Sequence, residues 1–182
     1  MKKWLTFLFA VMIYLTVHEG MHALTAMLHD EYDTLIIKAI LFPEVLYKTA
    51  VEERSGSYWA FISGTSNLVT ILAGYLLLAS GDRLAGLRGP FRSIFFYLTL
   101  IFLLADPLNL SLGPFFYGGD ADGIAVGLGI NRYLIQIVFL VVLFVNRELI
   151  AQRLFPMYGV QVKHFLFQPW IPWTQRNRGV AR

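Results

Sequence analysis

Residues 4–28 read WLTFLFAVMIYLTVHEGMHALTAML, and this stretch decides how the rest of the chain is interpreted. Its only charged side chain is Glu19, and it also contains two histidines, His18 and His22. An apolar helix of this length spans the hydrocarbon core of a bilayer. Charged and titratable side chains cost free energy when they are placed inside a bilayer, so their presence in a span indicates function. We expect a retained span rather than a signal peptide, because the apolar pattern continues to Leu28 without an A-x-A cleavage site.

The polar residues of this span form a zinc-protease motif. His18 and His22 are four residues apart, so they share one helix face and can bind one metal ion. Glu19 is positioned to act as general base toward a water molecule that the metal activates. Counted back from Leu28, His22 lies about 9 Å and His18 about 15 Å inside the span. The motif therefore predicts a zinc site below the membrane surface, and a purely structural polar cluster is the alternative.

The composition is that of a membrane protein. Of 182 residues, 57% are hydrophobic and 15% are charged, whereas about a quarter of a soluble domain is charged. We predict one all-α membrane domain over residues 1–155, with its core at 4–130, and an interfacial aromatic tail over 156–182. The net charge of +3 comes from short basic clusters between apolar segments. These clusters are typical of membrane topology signals and do not indicate a nucleic-acid partner.

Three further apolar segments bring the prediction to about four transmembrane helices. They run over residues 58–79, 91–105 and 133–149, and the sequence 123–130 is predicted as a short helix or re-entrant piece. Asp106-Pro107 is expected to interrupt the third span, because proline cannot continue the backbone ladder. The segment 106–123 is rich in Pro, Gly, Asn and Asp. Broken backbone at membrane depth must be buried or line a wet cavity, so this segment predicts a wall of the site.

A β-hairpin at the membrane edge is predicted between the first two spans. Residues 34–42 and 45–51 are β-prone runs separated by Pro43-Glu44. The edge of such a hairpin can pair with an extended peptide. A hairpin that only caps the helices is the alternative, and both interpretations stay open.

An acidic residue of the segment 106–123 is the economical third metal ligand. Asp122 is the first candidate, Asp120 is the alternative, and Asp106 is more typical of a helix-end cap. His29 lies about 10 Å further along the helix axis than His22, too far to share its ion. His164 falls in the interfacial tail.

The order of these motifs resembles the site-2 protease family of intramembrane zinc metalloproteases, over residues 4–130. It runs from the His-Glu-x-x-His motif through Ser63-Gly64-Thr-Ser-Asn67 and Asn109 to Asp122-Gly123. The chain differs from the family in a threonine after Gly64 and in a wider third motif. The resemblance implies that His18, His22 and Asp122 bind Zn²⁺, that Glu19 is the base, and that Asn67 lines the site and contacts substrate. Hydrogen bonding between packed helices is the alternative role of Asn67.

The expected activity is that of a membrane-embedded zinc metalloendopeptidase. Its substrate would be a membrane protein of the lipid bilayer, cut in or near its span, and its core would be minimal, without a PDZ-like or regulatory domain. A non-catalytic protease-like protein that binds transmembrane helices is the alternative, and a metal carrier is a third. Orientation stays open: the basic clusters place the motif's end of the first span outside, whereas the family's site typically opens to the cytosol.

Overall fold

The computed structural model describes residues 3–38, 42–116 and 119–171. An all-α membrane fold with four candidate spans and a small β-hairpin is confirmed within these ranges. The four helices that are long and apolar enough to cross a membrane cover Trp4–Leu28, Tyr58–Ala79, Pro90–Phe115 and Arg132–Met157.

The chain alternates these long helices with shorter elements. The helices are α1 (Lys3–Leu28), α2 (Tyr58–Ala79), α3 (Gly81–Ala85), α4 (Pro90–Leu112), α5 (Asp120–Leu128), α6 (Arg132–Leu149) and the three-residue α7 (Phe155–Met157). The strands are β1 (Tyr32–Lys38) and β2 (Phe42–Tyr47). Single 3-10 turns lie at Val51–Glu53, Gly113–Phe115 and Phe165–Phe167, and a π-helical turn, Ile150–Leu154, joins α6 to α7.

Helix α4 lies at the centre and packs against α1, α2 and α6, while α2 also contacts α1 and α5. Four buried apolar clusters of the described residues fill these contacts. They consist of Leu78 with Leu103, Ile150, Leu154, Phe155 and Tyr158; of Ala10 with Ile94, Leu98 and Phe102; of Ala26 with Trp59 and Ile62; and of Leu110 with Ala121, Ile124, Ala125 and Ile135. Other apolar side chains of α1 and α6 are exposed, as expected of surfaces that face lipid. This packing directs one face each of α1, α2, α4 and α5 toward a shared interior.

A hairpin is present and packs on the first span, but its predicted bounds are wrong, because Pro43 and Glu44 are paired within β2 and do not separate the strands. Strands β1 and β2 are antiparallel, with Leu35 opposite Val45 and Ile37 opposite Pro43. Strand β2 contacts α1, and the Val45 side chain is buried. The hairpin therefore lies against the helix that carries the His-Glu-x-x-His motif.

The expectation that Asp106-Pro107 interrupts the third span is wrong, because α4 continues to Leu112 with Pro107 inside it. A proline has no N–H, so Leu103, four residues earlier, loses the partner of its carbonyl. Asn146 on α6 donates from Nδ2 to this carbonyl oxygen at 2.7 Å and accepts a hydrogen bond from the Tyr75 hydroxyl at 2.6 Å. A neighbouring helix thus supplies the hydrogen bond that the bilayer cannot.

We expect Asn146→Ala to lower the free energy of unfolding by about 1–3 kcal/mol, because it leaves the buried Leu103 carbonyl and the partly buried Tyr75 hydroxyl without this partner. The loss should be smaller in a Pro107→Ala background, where residue 107 regains an N–H for the Leu103 carbonyl. Denaturant unfolding of the four chains in detergent micelles measures both effects. The same loss in both backgrounds would mean that Asn146 does not compensate for the proline.

The C-terminal segment is attached to the end of α6. Arg147 donates to the Leu166 carbonyl at 2.8 Å, and its guanidinium lies 3.9 Å from the centre of the Trp170 ring. Glu148 accepts a hydrogen bond from the Trp170 amide at 2.8 Å. The aromatic rings of Phe165 and Trp170 remain exposed, so an interfacial position of the tail stays a prediction. Its part from residue 172 onward lies outside the described residues.

Candidate metal centre

Three predicted residues converge on one point inside the helix bundle. The Nε2 atoms of His18 and His22 are 3.2 Å apart. The Asp120 carboxylate lies 3.5 Å from His18 Nε2 through Oδ2 and 3.2 Å from His22 Nε2 through Oδ1. His18 and His22 are 6% and 3% exposed, respectively. These three side chains form a group that can hold a metal ion.

The hydrogen-bond partner of each Nδ1 atom determines whether Nε2 of the same ring carries a proton or a lone pair. His22 Nδ1 lies 2.8 Å from the Ile62 carbonyl oxygen, which can only accept, so this nitrogen carries the proton. His18 Nδ1 lies 3.1 Å from the acceptor Oδ1 of Asp106. When His18 Nδ1 carries a proton as well, both Nε2 atoms present lone pairs to each other and to the Asp120 carboxylate. A metal ion bound between these three groups would accept those lone pairs, so the donor set fits a metal ion.

Two asparagines hold the carboxylate of Asp120. Asn67 on α2 and Asn109 on α4 donate from Nδ2 to its Oδ2 at 3.0 and 3.3 Å. Two N–H donors on one carboxylate oxygen favour the ionised form of Asp120, which is the form that binds a metal ion.

Helix α5 carries Asp120 to the site through an unusually close approach to α2. A Cβ atom at Gly123 would lie 1.9 Å from Ser63 Oγ, and one at Gly127 would lie 2.0 Å from the Ala60 backbone nitrogen. Residues three and seven positions after Asp120 share its helix face. The glycine face that contacts α2 is therefore also the face that points Asp120 toward the histidines.

The structure brings Asp120, and not the first candidate Asp122, to the histidines. Two positions along a helix correspond to about 200° of rotation, so Asp122 projects from the opposite side of α5. Its Oδ1 lies 3.2 Å from Nη1 of Arg132, at the start of α6. The helix phase set by the α2 contact accounts for this difference, and Asp120 replaces Asp122 as the proposed third ligand.

Asp106 is the main residue of the candidate site whose place the sequence did not predict. It is fully buried inside α4 and not at a helix end. Its carboxylate accepts hydrogen bonds from the Tyr14 hydroxyl, at 2.6 Å, and from the Thr70 hydroxyl, and it faces His18 Nδ1. A carboxylate behind a ligating histidine fixes the orientation of the ring. Asp106 thus lies beside His18 on the side opposite Nε2.

Glu19 lies beside His18 on α1 and is half-buried. Its Oε2 accepts a hydrogen bond from the backbone N–H of Val45, on β2, at 3.1 Å. The Ser66 hydroxyl lies 2.8 Å from His22 Nε2. The interior thus combines a metal-ligand set, a nearby carboxylate and a small hydroxyl donor.

Asn67 links α2 to α5 by donating to Asp120, and it also donates to the Ser63 carbonyl at 2.8 Å. Its Oδ1 is buried and has no hydrogen-bond partner within the described ranges. The predicted contact of Asn67 with substrate stays a prediction. The contacts that Asn67 makes in the structure hold the Asp120 carboxylate and join α2 to α5. The polar residues of α2 share one face at helical spacing, a signal that was present in the sequence at Ser63, Ser66, Asn67 and Thr70.

The other two histidines lie away from this group, in agreement with the sequence. His29 is exposed beyond the end of α1, where its ring stacks on Tyr58 with 5.6 Å between centroids. His164 is exposed in the tail and stacks on Phe165 at 5.0 Å. Neither ring is directed to the point where His18 and Asp120 meet.

Comparisons of this chain with protein-family models, with curated proteins and with solved structures give no match. The likeness to site-2 proteases therefore remains a prediction from the motifs and their order.

Proposed function

We propose that this protein is an intramembrane zinc metalloendopeptidase that hydrolyses a peptide bond in or near the membrane span of a substrate protein. The observation that carries the proposal is the convergence of two histidines and one carboxylate inside an apolar span, next to a glutamate. His18, His22 and Asp120 are the proposed ligands. Glu19 is the proposed base.

The spacing of the ligand atoms supports zinc. A tetrahedral zinc ion with bonds of about 2.0–2.1 Å holds its ligand atoms about 3.3 Å apart. The two Nε2 atoms are 3.2 Å apart, His18 Nε2 lies 3.5 Å from Asp120 Oδ2, and His22 Nε2 lies 3.2 Å from Asp120 Oδ1, so each closest approach is near this value. Catalytic zinc sites commonly use three protein ligands and keep a fourth position open. Two histidines and one carboxylate are such a set.

The chain's own residues account for the proton movements of peptide hydrolysis. Zinc in this site would supply Lewis-acid polarisation of the scissile carbonyl and of a water molecule. Glu19 accepts a proton from the water whose oxygen adds to the carbonyl carbon. It returns that proton to the leaving nitrogen as the carbon–nitrogen bond breaks. Asp106 and the Ile62 carbonyl hold the two imidazole rings throughout.

The depth of the site favours a membrane-protein substrate. His22 and His18 lie about 9 and 15 Å from the end of α1, within the length of the span. A transmembrane helix hides its carbonyls in its own hydrogen bonds, so the substrate must unwind locally before it is cut. We propose the cell membrane as the location.

Metal removal tests this function directly. We expect about one zinc ion per chain in the purified protein, and loss of cleavage of a transmembrane model substrate after treatment with 1,10-phenanthroline. Added Zn²⁺ should restore cleavage. The isomer 1,7-phenanthroline, which does not chelate, is the matched control and should leave cleavage unchanged. Metal analysis and a gel-based cleavage assay in detergent provide the measurements.

Two outcomes would contradict the proposal in different ways. Full cleavage by metal-free protein would rule out a zinc-dependent mechanism. Stoichiometric zinc without cleavage of any transmembrane or unfolded substrate would favour the alternative, a protease-like protein that binds transmembrane helices without cutting them.

A further inference from the structure

The backbone amide of Val45 connects the β-hairpin to the proposed base. Its nitrogen lies 3.1 Å from Glu19 Oε2 and donates a hydrogen bond to it. Glu19 belongs to α1 and Val45 to β2, 26 residues apart in sequence. The hairpin therefore reaches the interior of the site and does more than cover it.

The register of the hairpin explains why this amide is free of its own sheet. Residue pairs of an antiparallel ladder alternate between hydrogen-bonded and non-hydrogen-bonded positions. Val45 stands opposite Leu35, and Pro43 stands opposite Ile37, two residues away and in the same phase. Pro43 has no N–H to give to the ladder, and the N–H of Val45 goes to Glu19. Both positions thus turn their nitrogens away from β1.

The amide is also held firmly in place. The Val45 side chain is only 4% exposed, and its strand is paired with β1 along its length. Glu19, in contrast, has a long side chain with several rotatable bonds, so that it loses rotamer freedom when it is fixed. The Val45 N–H, fixed in its strand and bonded to Oε2, holds the Glu19 side chain in one orientation and leaves Oε1 to accept the proton.

We propose that the Val45 amide is a positioning group that orients Glu19 for proton transfer, an inference that rests on the proposed function. Val45 acts through Glu19 and does not itself touch the reacting atoms. The consequence for the hairpin is specific. An extended peptide that pairs with β2 at Val45 must accept the hydrogen bond that the Val45 N–H donates to Glu19. Such pairing therefore displaces the base.

The comparison of Val45→Pro with Val45→Ala tests this role. Both variants lose the valine side chain, but only proline also removes the N–H, and the outward phase of residue 45 spares the ladder. We expect kcat for a transmembrane model substrate to be about 10- to 100-fold lower in Val45→Pro than in Val45→Ala, the size of effect that a small misplacement produces. KM and zinc content should be similar in the two variants.

An ester bond in place of the Val45 amide, introduced as the corresponding α-hydroxy acid, removes the N–H without a ring and should reproduce the lower kcat. If Val45→Pro misfolds and loses zinc, the ester chain still tests whether the Val45 N–H positions Glu19. Equal kcat in the ester chain and the wild type overturns the positioning role. In that case zinc-dependent cleavage by the wild type leaves the proposed function intact, whereas absence of zinc-dependent cleavage overturns both.

Discussion

Glu19→Gln is expected to lower kcat by about 10²- to 10⁴-fold, the usual contribution of a general base. Glutamine has nearly the same shape, and its carbonyl oxygen can still accept the hydrogen bond from Val45, but it cannot take a proton from water. Zinc content should remain that of the wild type, because Glu19 is not among the proposed ligands. Single-turnover cleavage and metal analysis of the same preparation measure the two quantities.

Glu44→Gln is the matched control for this variant. Glu44 is a glutamate of β2 whose side chain is 40% exposed and pairs with Lys38, itself 58% exposed. Exposed ion pairs contribute little to stability, so this change should leave both kcat and zinc content near the wild-type values. A Glu19→Gln chain that cleaves within a few-fold of the wild type would refute the assigned base.

Asp120→Ala is expected to weaken zinc binding by more than about 100-fold, beyond the loss that changes behind a ligand typically cause. The substitution removes a proposed ligand and leaves two imidazole nitrogens facing each other at 3.2 Å without a carboxylate. Cleavage should be lost with the metal. Competition with a chromophoric zinc chelator gives the affinity of each purified chain.

Asp122→Ala is the control that separates the two aspartates. Asp122 is on the same helix, two residues away, and pairs with Arg132, with side chains 26% and 37% exposed. Loss of this pair should cost no more than about 1 kcal/mol of stability and should leave zinc affinity close to the wild-type value. Undiminished zinc binding by Asp120→Ala, or an equal loss in both variants, would contradict the assignment of Asp120.

The features that could be predicted from the sequence depend on local pattern. The apolar lengths gave the four candidate spans, and the spacing of His18 and His22 placed both rings on one face of α1. The β-prone runs predicted the hairpin but not its bounds, since Pro43 is paired with Ile37 inside β2. In each case the decisive residues are neighbours in the chain, so their physical relation can be read without a tertiary structure.

The features that could not be predicted depend on a partner helix. Pro107 continues α4 because Asn146, 39 positions later, donates to the carbonyl that proline leaves unpaired. Asp120 and Asp122 have the same chemistry and stand in the same turn of α5. The choice between them depends on which side of that helix packs on α2. No local pattern of charge or hydropathy predicts which side this is. Asp106 likewise acquires its role only when α4 lies beside α1.

The two glycines of α5 change how related sequences should be searched. Gly123 and Gly127 have no functional group, yet the space they leave lets α5 lie against α2 and sets the direction of Asp120. A distant relative of this chain would then be recognised less by an Asp-Gly pair than by an acidic residue followed by small residues at the third and seventh positions. A search that combines this spacing with His-Glu-x-x-His would retain sequences in which the intervening residues, including the one at position 122, have diverged freely.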